Sequence, residues 1–395
     1  MAAANPLVTQ ARSFAEPHRV LPRLDPLLLL ATLGLIACSI YVVGTATQDD
    51  IAGDRYYYVY RQLSYAAIGI VLMLLLARFD YSRIREWKFG VYVLLIGAIV
   101  LVYGLGFSAR GSKRAIEFGF FNLQSSELGK LLLILALSAF VVDRMRRLGE
   151  RETTSRIMLL ALFPAMLVVA QPDLGSGLVY IAIALATLFV AGTKWTHFAA
   201  LGALGVAAVV LVLVAAPAVG VEVLKPYQVD RLTAFLHPSA DPREQGYQVN
   251  QSLTAVGSGG KTGRGDEATQ TRLDFLPEHH TDFVFSVVGE EFGFVGAALV
   301  LSLYALLIWR CLRILTMSKN LYGALIAGGI TAMLMFQIFV NVGMTIGIMP
   351  ITGVPLPLLS YGGSSVLMTF MAIGLLQSIH AQAREVAAAK GGLTL

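Results

Sequence analysis

The sequence predicts an all-α polytopic membrane protein: ten transmembrane helices, with a long extracytoplasmic loop between the seventh and the eighth. Three observations lead there. Of 395 residues, 56% are hydrophobic and only 14% charged, and the mean hydropathy is +0.69. The apolar residues gather in blocks that approach or reach the roughly 17–25 residues a helix needs to cross a bilayer, and they are apolar on every face where a soluble helix would keep one polar side. Lys and Arg crowd every second connection, which marks that side as cytoplasmic.

In chain order, residues 1–26 carry Arg12, Arg19 and Arg23 and read as a cytoplasmic tail before a first span at 27–44. A cleavable signal peptide is disfavoured because nine further blocks follow. The second and third spans (62–77 and 91–107) are joined by a loop holding Arg78, Arg83, Arg85 and Lys88. Residues 108–127 face outward, and Ser125 or Ser126 is placed to cap the fourth span at 128–142. Arg144, Arg146, Arg147, Arg151 and Arg156 precede the short fifth span (157–170), which must tilt or pair tightly with the sixth (174–191). Between those two, "QPDLGSG" reads as a turn with Asp173 capping the sixth. The seventh span (198–217) leads into the loop 218–282, too long for a plain connector. Tyr227, Leu232, Phe235, Leu236, Tyr247 and Leu253 give that loop enough apolar anchors to fold back onto the helices. The eighth span (283–309) is followed by Arg310, Arg313 and Lys319. The ninth (323–349) is stopped by Pro350, Pro355 and Pro357, and Gly362 with Gly363 permits a close turn before the tenth (364–380). Residues 381–395 form a second cytoplasmic tail, so that 27–380 is the membrane domain. Cys38 and Cys311 have neither disulfide nor metal spacing.

Three stretches facing the same outer compartment carry the candidate chemistry. In "FLPEHHTDFVF" (275–285), Asp282 abuts Phe283, Val284 and Phe285, where falling dielectric makes a carboxylate a better proton acceptor. The alternative is a helix cap by Thr281 or Asp282. His279 and His280 would diverge on a helix and lack a third ligand at useful spacing, so no metal site is expected. Glu290 and Glu291 lie about two turns further on, and at least one should face a cavity or a basic partner. In "RGSKRAIEFGFFNLQSSELGK" (110–130), Glu127 and Lys130 share a helical face. They form either a salt bridge or a site in which Lys130 joins Lys113 and Arg114 in holding a phosphorylated ligand, to which Arg61 and Arg231 could add. "PLPLLSYGGSS" (355–365) is either an interhelical turn or a re-entrant loop lining a polar cavity, the latter making Ser360, Gly362 and Gly363 binding residues.

Taken together, these stretches resemble the RodA/FtsW family of bacterial shape, elongation, division and sporulation proteins, from about residue 22 to 384. The resemblance rests on the loop from Gly111 to Lys130, "QPDLGSG", "GYQVNQSLTAVGSGG" running into "FLPEHHTDFVF", and "PLPLLSYGGSS", in that order. It implies a peptidoglycan glycosyltransferase in the bacterial cytoplasmic membrane, with both termini cytoplasmic. The enzyme would polymerise lipid II by inverting attack of a GlcNAc 4-hydroxyl on MurNAc C1, undecaprenyl pyrophosphate leaving. It would work with a class B penicillin-binding protein, and nothing points to nucleic acid. Gly-Ser-Gly-Gly at 257–260, Thr269-Gln270 and the short tails look more like the elongation branch, RodA, than the division branch, FtsW. Carried over by position, Asp282 matches the essential carboxylate, Arg114 the basic residue of the outer loop, and Glu127 with Lys130 the acid and lysine of the fourth span. Ala115 stands where the family usually has Trp, removing a ring that would pack on sugar or lipid, and Ser125 stands where it usually has Pro.

On this reading Asp282 is the general base, with Lys113, Arg114 and Lys130 assisting the diphosphate and Glu127 orienting Lys130. One base suffices when cations quiet a departing diphosphate. No cofactor is required by the motifs, although a divalent cation, Mg or Mn, would suit the oxygens of Asp282 or the diphosphate. Two other classes fit the same spans and charges: a lipid II flippase, which needs alternating access but no base, and a non-catalytic scaffold for the penicillin-binding protein.

Overall fold

Every expected span coincides with a helix in the computed structural model of the chain, which describes residues 24–48, 50, 54–105, 107–109, 112–118, 121–218, 235, 245–273 and 275–391. The helices are α1 (Pro26–Ala46), α2 (Tyr57–Arg78), α3 (Lys88–Leu105), α4 (Ser125–Asp143), α5 (Arg151–Ala170), α6 (Leu174–Val190) and α7 (Trp195–Val210, continued by a π turn through Ala215). After a loop helix α8 (Gln245–Ser258) come α9 (Val284–Met317), α10 (Leu321–Thr345) and α11 (Gly363–Gly391). Among the described residues, nine helices are long and apolar enough to cross a membrane. The exception, α6, has 17 residues, about 26 Å of rise at 1.5 Å per residue. α11 continues past the expected end of the tenth span, to Gly391.

The expectation of an all-α chain missed one element. Residues 107–124 hold a three-stranded antiparallel sheet, β1 (Phe107–Ala109), β2 (Ser112–Phe118) and β3 (Phe121–Gln124), in sequential order. Ala115 pairs with Gln124 and Glu117 with Asn122. The stretch leaves and re-enters the bundle within twenty residues, so its backbone groups pair with one another. Phe107, Ile116, Phe118 and Phe121 are strand-favouring types, but the run is too short and too mixed in polarity for its periodicity to show.

The centre of the bundle is α4 and α11, each 89% buried over its most apolar window, with α10 beside them; α7 buries none of its window and lies at the rim. At the end where the basic loops collect, Asp25 joins three helices. It caps α1 through Leu27 and Leu28 amides at 3.1 and 3.0 Å, accepts two Arg310 nitrogens from α9, and its own amide donates to Gln377 of α11 at 2.7 Å. Burial alone would raise the Asp25 carboxyl, but the Arg310 hydrogen bonds and the Leu28 amide outweigh it and hold the group below its ordinary value. A carboxylate depressed in the folded state stabilises fully above its unfolded value, about 3.9, and that stabilisation is lost as pH falls through the folded one. Arg310→Met removes the dominant lowering partner, so the acid-side fall of the melting temperature should begin at higher pH than in the wild type, as read by thermal unfolding in detergent across pH 3–7.

In the loop after α7, the described helix α8 folds back onto the bundle, while the anchors Tyr227, Leu232 and Leu236 lie outside the described residues. Ser252 of α8 meets Ser286 of α9 at 2.7 Å and donates to the Thr345 carbonyl at 2.8 Å. Glu290 needs neither cavity nor cation. Its carboxylate accepts the Gln270 amide (2.8 Å), the Thr271 amide (3.0 Å) and the Thr271 hydroxyl (2.7 Å), while Glu291 accepts from Thr45. The loop's own amides are the partners that the one-dimensional reading could not supply. α9 breaks at Gly293, whose φ of +61° puts it in the region that favours glycine. Just above, Gly259 packs so closely that a Cβ would overlap the Gly289 carbonyl. Gly259→Ala should therefore cost at least about 1–3 kcal/mol, localised to residues 245–273 and measurable as faster hydrogen exchange there.

Candidate active site

At the end of the bundle opposite the basic loops lies a cavity of about 510 Å³, within the size range of ligand pockets. Its walls come from four separated segments: Tyr57, Tyr58, Arg61 and Tyr65 of α2; Asn122 and Gln124 of β3; His280, Thr281 and Asp282 before α9; and the α10–α11 connection with Gly353, Pro355, Tyr361, Gly362 and Gly363. Ser364 and Ser365 complete it.

Asp282 sits on a tight turn. The Glu278 carbonyl accepts the amides of Thr281, Asp282 and Phe283 at 3.1, 3.1 and 3.2 Å, which forces Glu278 to a φ of +56°, a costly conformation for a residue other than glycine. The turn is stapled from the far side. Ser360 donates to the Thr281 carbonyl (2.6 Å) and accepts the Leu356 amide (2.8 Å), Asn341 donates to the carbonyls of Asp282 and Val354 (both 2.9 Å), and the Tyr361 amide donates to the His280 carbonyl (2.9 Å). Phe283, one residue beyond Asp282, occupies the cap position of α9, and its side chain makes no cap hydrogen bond. Between turn and re-entrant loop, the 350–362 connection takes the second form. It has no helix, buries Leu356, Leu358 and Leu359 completely, and presents Gly353 and Gly362 to the cavity.

The structure thus brings together Asp282, Arg61, Gly362 and Gly363. It places three other candidates behind the wall. Ser360 is buried and works through backbone groups. Glu127 and Lys130 form a 2.6 Å ion pair, 3% and 2% exposed, beside a void of about 10 Å³ edged by Met333, Gln337, Met368 and Thr369. They lie about one and two turns below Gln124, the cavity-lining residue that precedes α4. Lys113 and Arg114 lie on β2, next to Ala115, whose ladder partner is that same Gln124. Arg231 lies outside the described residues. Ser125 and Ser126 do not cap α4, where Gln124 holds the cap position; Ser126 instead donates to Asp173 (2.9 Å), as does the Gln124 side chain (3.1 Å). Asp173 does cap α6, accepting the Ser176 amide at 3.1 Å, as "QPDLGSG" predicts.

The aromatic wall was not foreseen. Tyr57, Arg61 and Tyr65 recur at helical spacing in "RYYYVYRQLSY", and that pattern was the available signal. Arg61 lies over the Tyr57 ring at 4.9 Å, and Tyr58 packs against His280 and Tyr361 at 4.9 and 5.0 Å. Burial pushes the Tyr361 phenol up, with neighbouring Tyr65 adding to the rise and Arg61 opposing it. It therefore stays a neutral hydroxyl. Polar-tipped rings beside one guanidinium and one carboxylate suit a sugar bearing an anionic group.

For metals, Asp282 is the one carboxylate lining the cavity among the described residues, and these alone form no oxygen cage for magnesium there. The third candidate ligand that sequence spacing lacked comes from a distant segment. His279 and His280 lie in the turn before α9 rather than on a helix, and Asp50 from the α1–α2 connection joins them, the three donor atoms all within 4.8 Å.

The family model of the FtsW/RodA/SpoVE cell cycle proteins matches residues 24–385. Stage V sporulation protein E of Bacillus subtilis is 36% identical over 360 residues, which covers 90% of this chain and 95% of that protein. The peptidoglycan glycosyltransferase MrdB of Escherichia coli K12 is 37% identical over 358 residues, 90% of this chain and 93% of that one. Among solved structures, a chain of a peptidoglycan synthase complex studied for its coordination of polymerization and crosslinking superposes with a TM-score of 0.76 at 30% identity, covering 91% of this chain and 98% of its own. The rod shape determining protein RodA of Thermus thermophilus superposes with a TM-score of 0.65 at 29% identity, covering 90% and 96%.

Proposed function

Because the chain belongs to the FtsW/RodA/SpoVE family of cell cycle proteins, we propose that it is a multi-span peptidoglycan glycosyltransferase that polymerises lipid II on the outer face of a bacterial cytoplasmic membrane. The observation that carries this reading is the position of Asp282: a carboxylate on a rigid turn, in a polar cavity of substrate size, with Arg61 in the same cavity. The GlcNAc 4-hydroxyl of one chain attacks C1 of MurNAc on another, Asp282 takes the hydroxyl proton, the anomeric centre inverts, and undecaprenyl pyrophosphate departs with the electron pair of the broken C–O bond. A sugar hydroxyl is a poor nucleophile until its proton is removed in the transition state. Fixed cations near the diphosphate stabilise the charge that develops there. Arg61, which lines the cavity of Asp282, is the first candidate for this role, and Lys113 and Arg114, on the strand paired with β3, are the next.

The crosslinking partner, a class B penicillin-binding protein, is supported by the likeness to a chain of a synthase complex. Assignment to elongation is supported by Gly-Ser-Gly-Gly at 257–260, Thr269 and Gln270. Both termini are assigned to the cytoplasm from the basic loops on their side. Reconstitution of the pure chain with lipid II and its cognate penicillin-binding protein tests the activity directly. Glycan product is expected. Absence of product with that partner present would favour the scaffold, and lipid II translocation without polymerisation would favour the flippase.

A further inference from the structure

We propose that Asp50, His279 and His280 bind one divalent transition metal of the zinc class, which clips the α1–α2 connection to the turn that carries Asp282. The inference does not depend on the reaction assigned above. Two imidazole nitrogens, Nε2 of His279 and Nδ1 of His280, approach the same carboxylate oxygen, Oδ2 of Asp50, at 3.6 and 3.7 Å. Both separations exceed a hydrogen bond. They lie within about 0.4 Å of the roughly 3.3 Å edge between ligands of a tetrahedral ion with bonds near 2.0–2.1 Å. The other nitrogen of His279, Nδ1, is 3.1 Å from the Leu276 carbonyl. Donation there assigns the ring proton to Nδ1 and aims the Nε2 lone pair at the carboxylate, the outer-shell arrangement that orients metal-binding imidazoles.

The side chains are 4% (His279), 18% (His280) and 22% (Asp50) exposed, so the site is shielded yet reachable. Two imidazoles and a carboxylate suit zinc and its neighbours rather than magnesium, which prefers oxygen donors. Three protein ligands leave a fourth position to water. The metal would fix His280, a cavity wall residue, and brace the strained Glu278 turn two residues before it.

The tag-free full chain, purified in detergent and stripped with a chelator, should take up one Zn²⁺ by elemental analysis, and Co²⁺ should give the strong visible absorption of a four-coordinate site. His279→Ala and Asp50→Ala should each weaken Zn²⁺ binding by at least about 100-fold, the upper end of the loss seen for an outer-shell partner alone. Asp282→Asn should bind Zn²⁺ as the wild type does, so a failure of the metal site and a failure of the catalytic assignment read separately. Zn²⁺ should raise the melting temperature of the wild type and leave Asp50→Ala unmoved, with Mg²⁺ giving no shift in either. Should Asp50→Ala fail to fold, the wild-type Co²⁺ spectrum and Zn²⁺ melting shift decide alone. The proposal is overturned if the wild type takes up no Zn²⁺ beyond the level of the folded variants, or if Co²⁺ keeps the spectrum of its aqueous ion, which would leave a protonated imidazole–carboxylate contact only.

Discussion

Asp282→Asn should lower glycan polymerisation by about 10²- to 10⁴-fold, the contribution of a positioned general base, while the chain keeps its wild-type elution and melting behaviour in detergent. The two side chains are nearly isosteric. The turn beneath them is held by the backbone of residues 278–283 and by Ser360 and Asn341, so removing the carboxylate's charge leaves those bonds in place. The loss should fall on turnover rather than on lipid II binding, because the proton moves only in the transition state. Gel analysis of glycan chains with the cognate partner present, alongside lipid II binding, separates the two. A variant that polymerises at the wild-type rate would remove Asp282 from the chemistry.

The second large effect belongs to the ion pair in α4. Glu127→Gln or Lys130→Met alone strands a charge in the most buried part of the bundle and should cost about 3–5 kcal/mol, whereas the double variant should recover most of the loss, because the desolvation of both groups disappears with them. Thermal unfolding of all four chains in one detergent completes the cycle. Activity of the stable double variant then separates the two roles considered for Lys130. Retained polymerisation makes the pair a structural brace, while lost polymerisation in a folded chain means that its charge reaches the diphosphate. The geometry favours the brace, since the pair borders its own small void and not the cavity of Asp282.

How much of this was legible in one dimension depended on how local each feature is. A span is decided within one segment, by whether its side chains tolerate lipid, and so the helices lie where the apolar blocks predict. The Asp173 cap and the place of Asp282 at the cavity were legible because each residue stands directly before a helix. The cavity was not, because its walls meet only after residues 57–65, 122–124, 280–282 and 353–365 are packed together. The Glu290 contacts were hidden for the same reason: its partners, Gln270 and Thr271, belong to a loop that folds back across the outer end of α9. Asp50 is the plainest case. Two hundred and more residues separate it from His279, and no spacing rule links them. Ser360 belongs to a segment the sequence singles out, yet its hydroxyl donates to the backbone of Thr281, a contact fixed only when the chain is folded.

The connection between α10 and α11 carries a pharmacological consequence. Since its Ser360 and Tyr361 grip the main chain of the two residues before Asp282, and Asn341 of α10 grips that of Asp282 itself, the mould around Asp282 stands ready before any saccharide arrives, and a small molecule cut to that shape would spend none of its affinity on closing the site. Resistance by remodelling the wall would be difficult for the cell: the residues that shape the pocket also hold the helices together, so loosening the drug would loosen the enzyme.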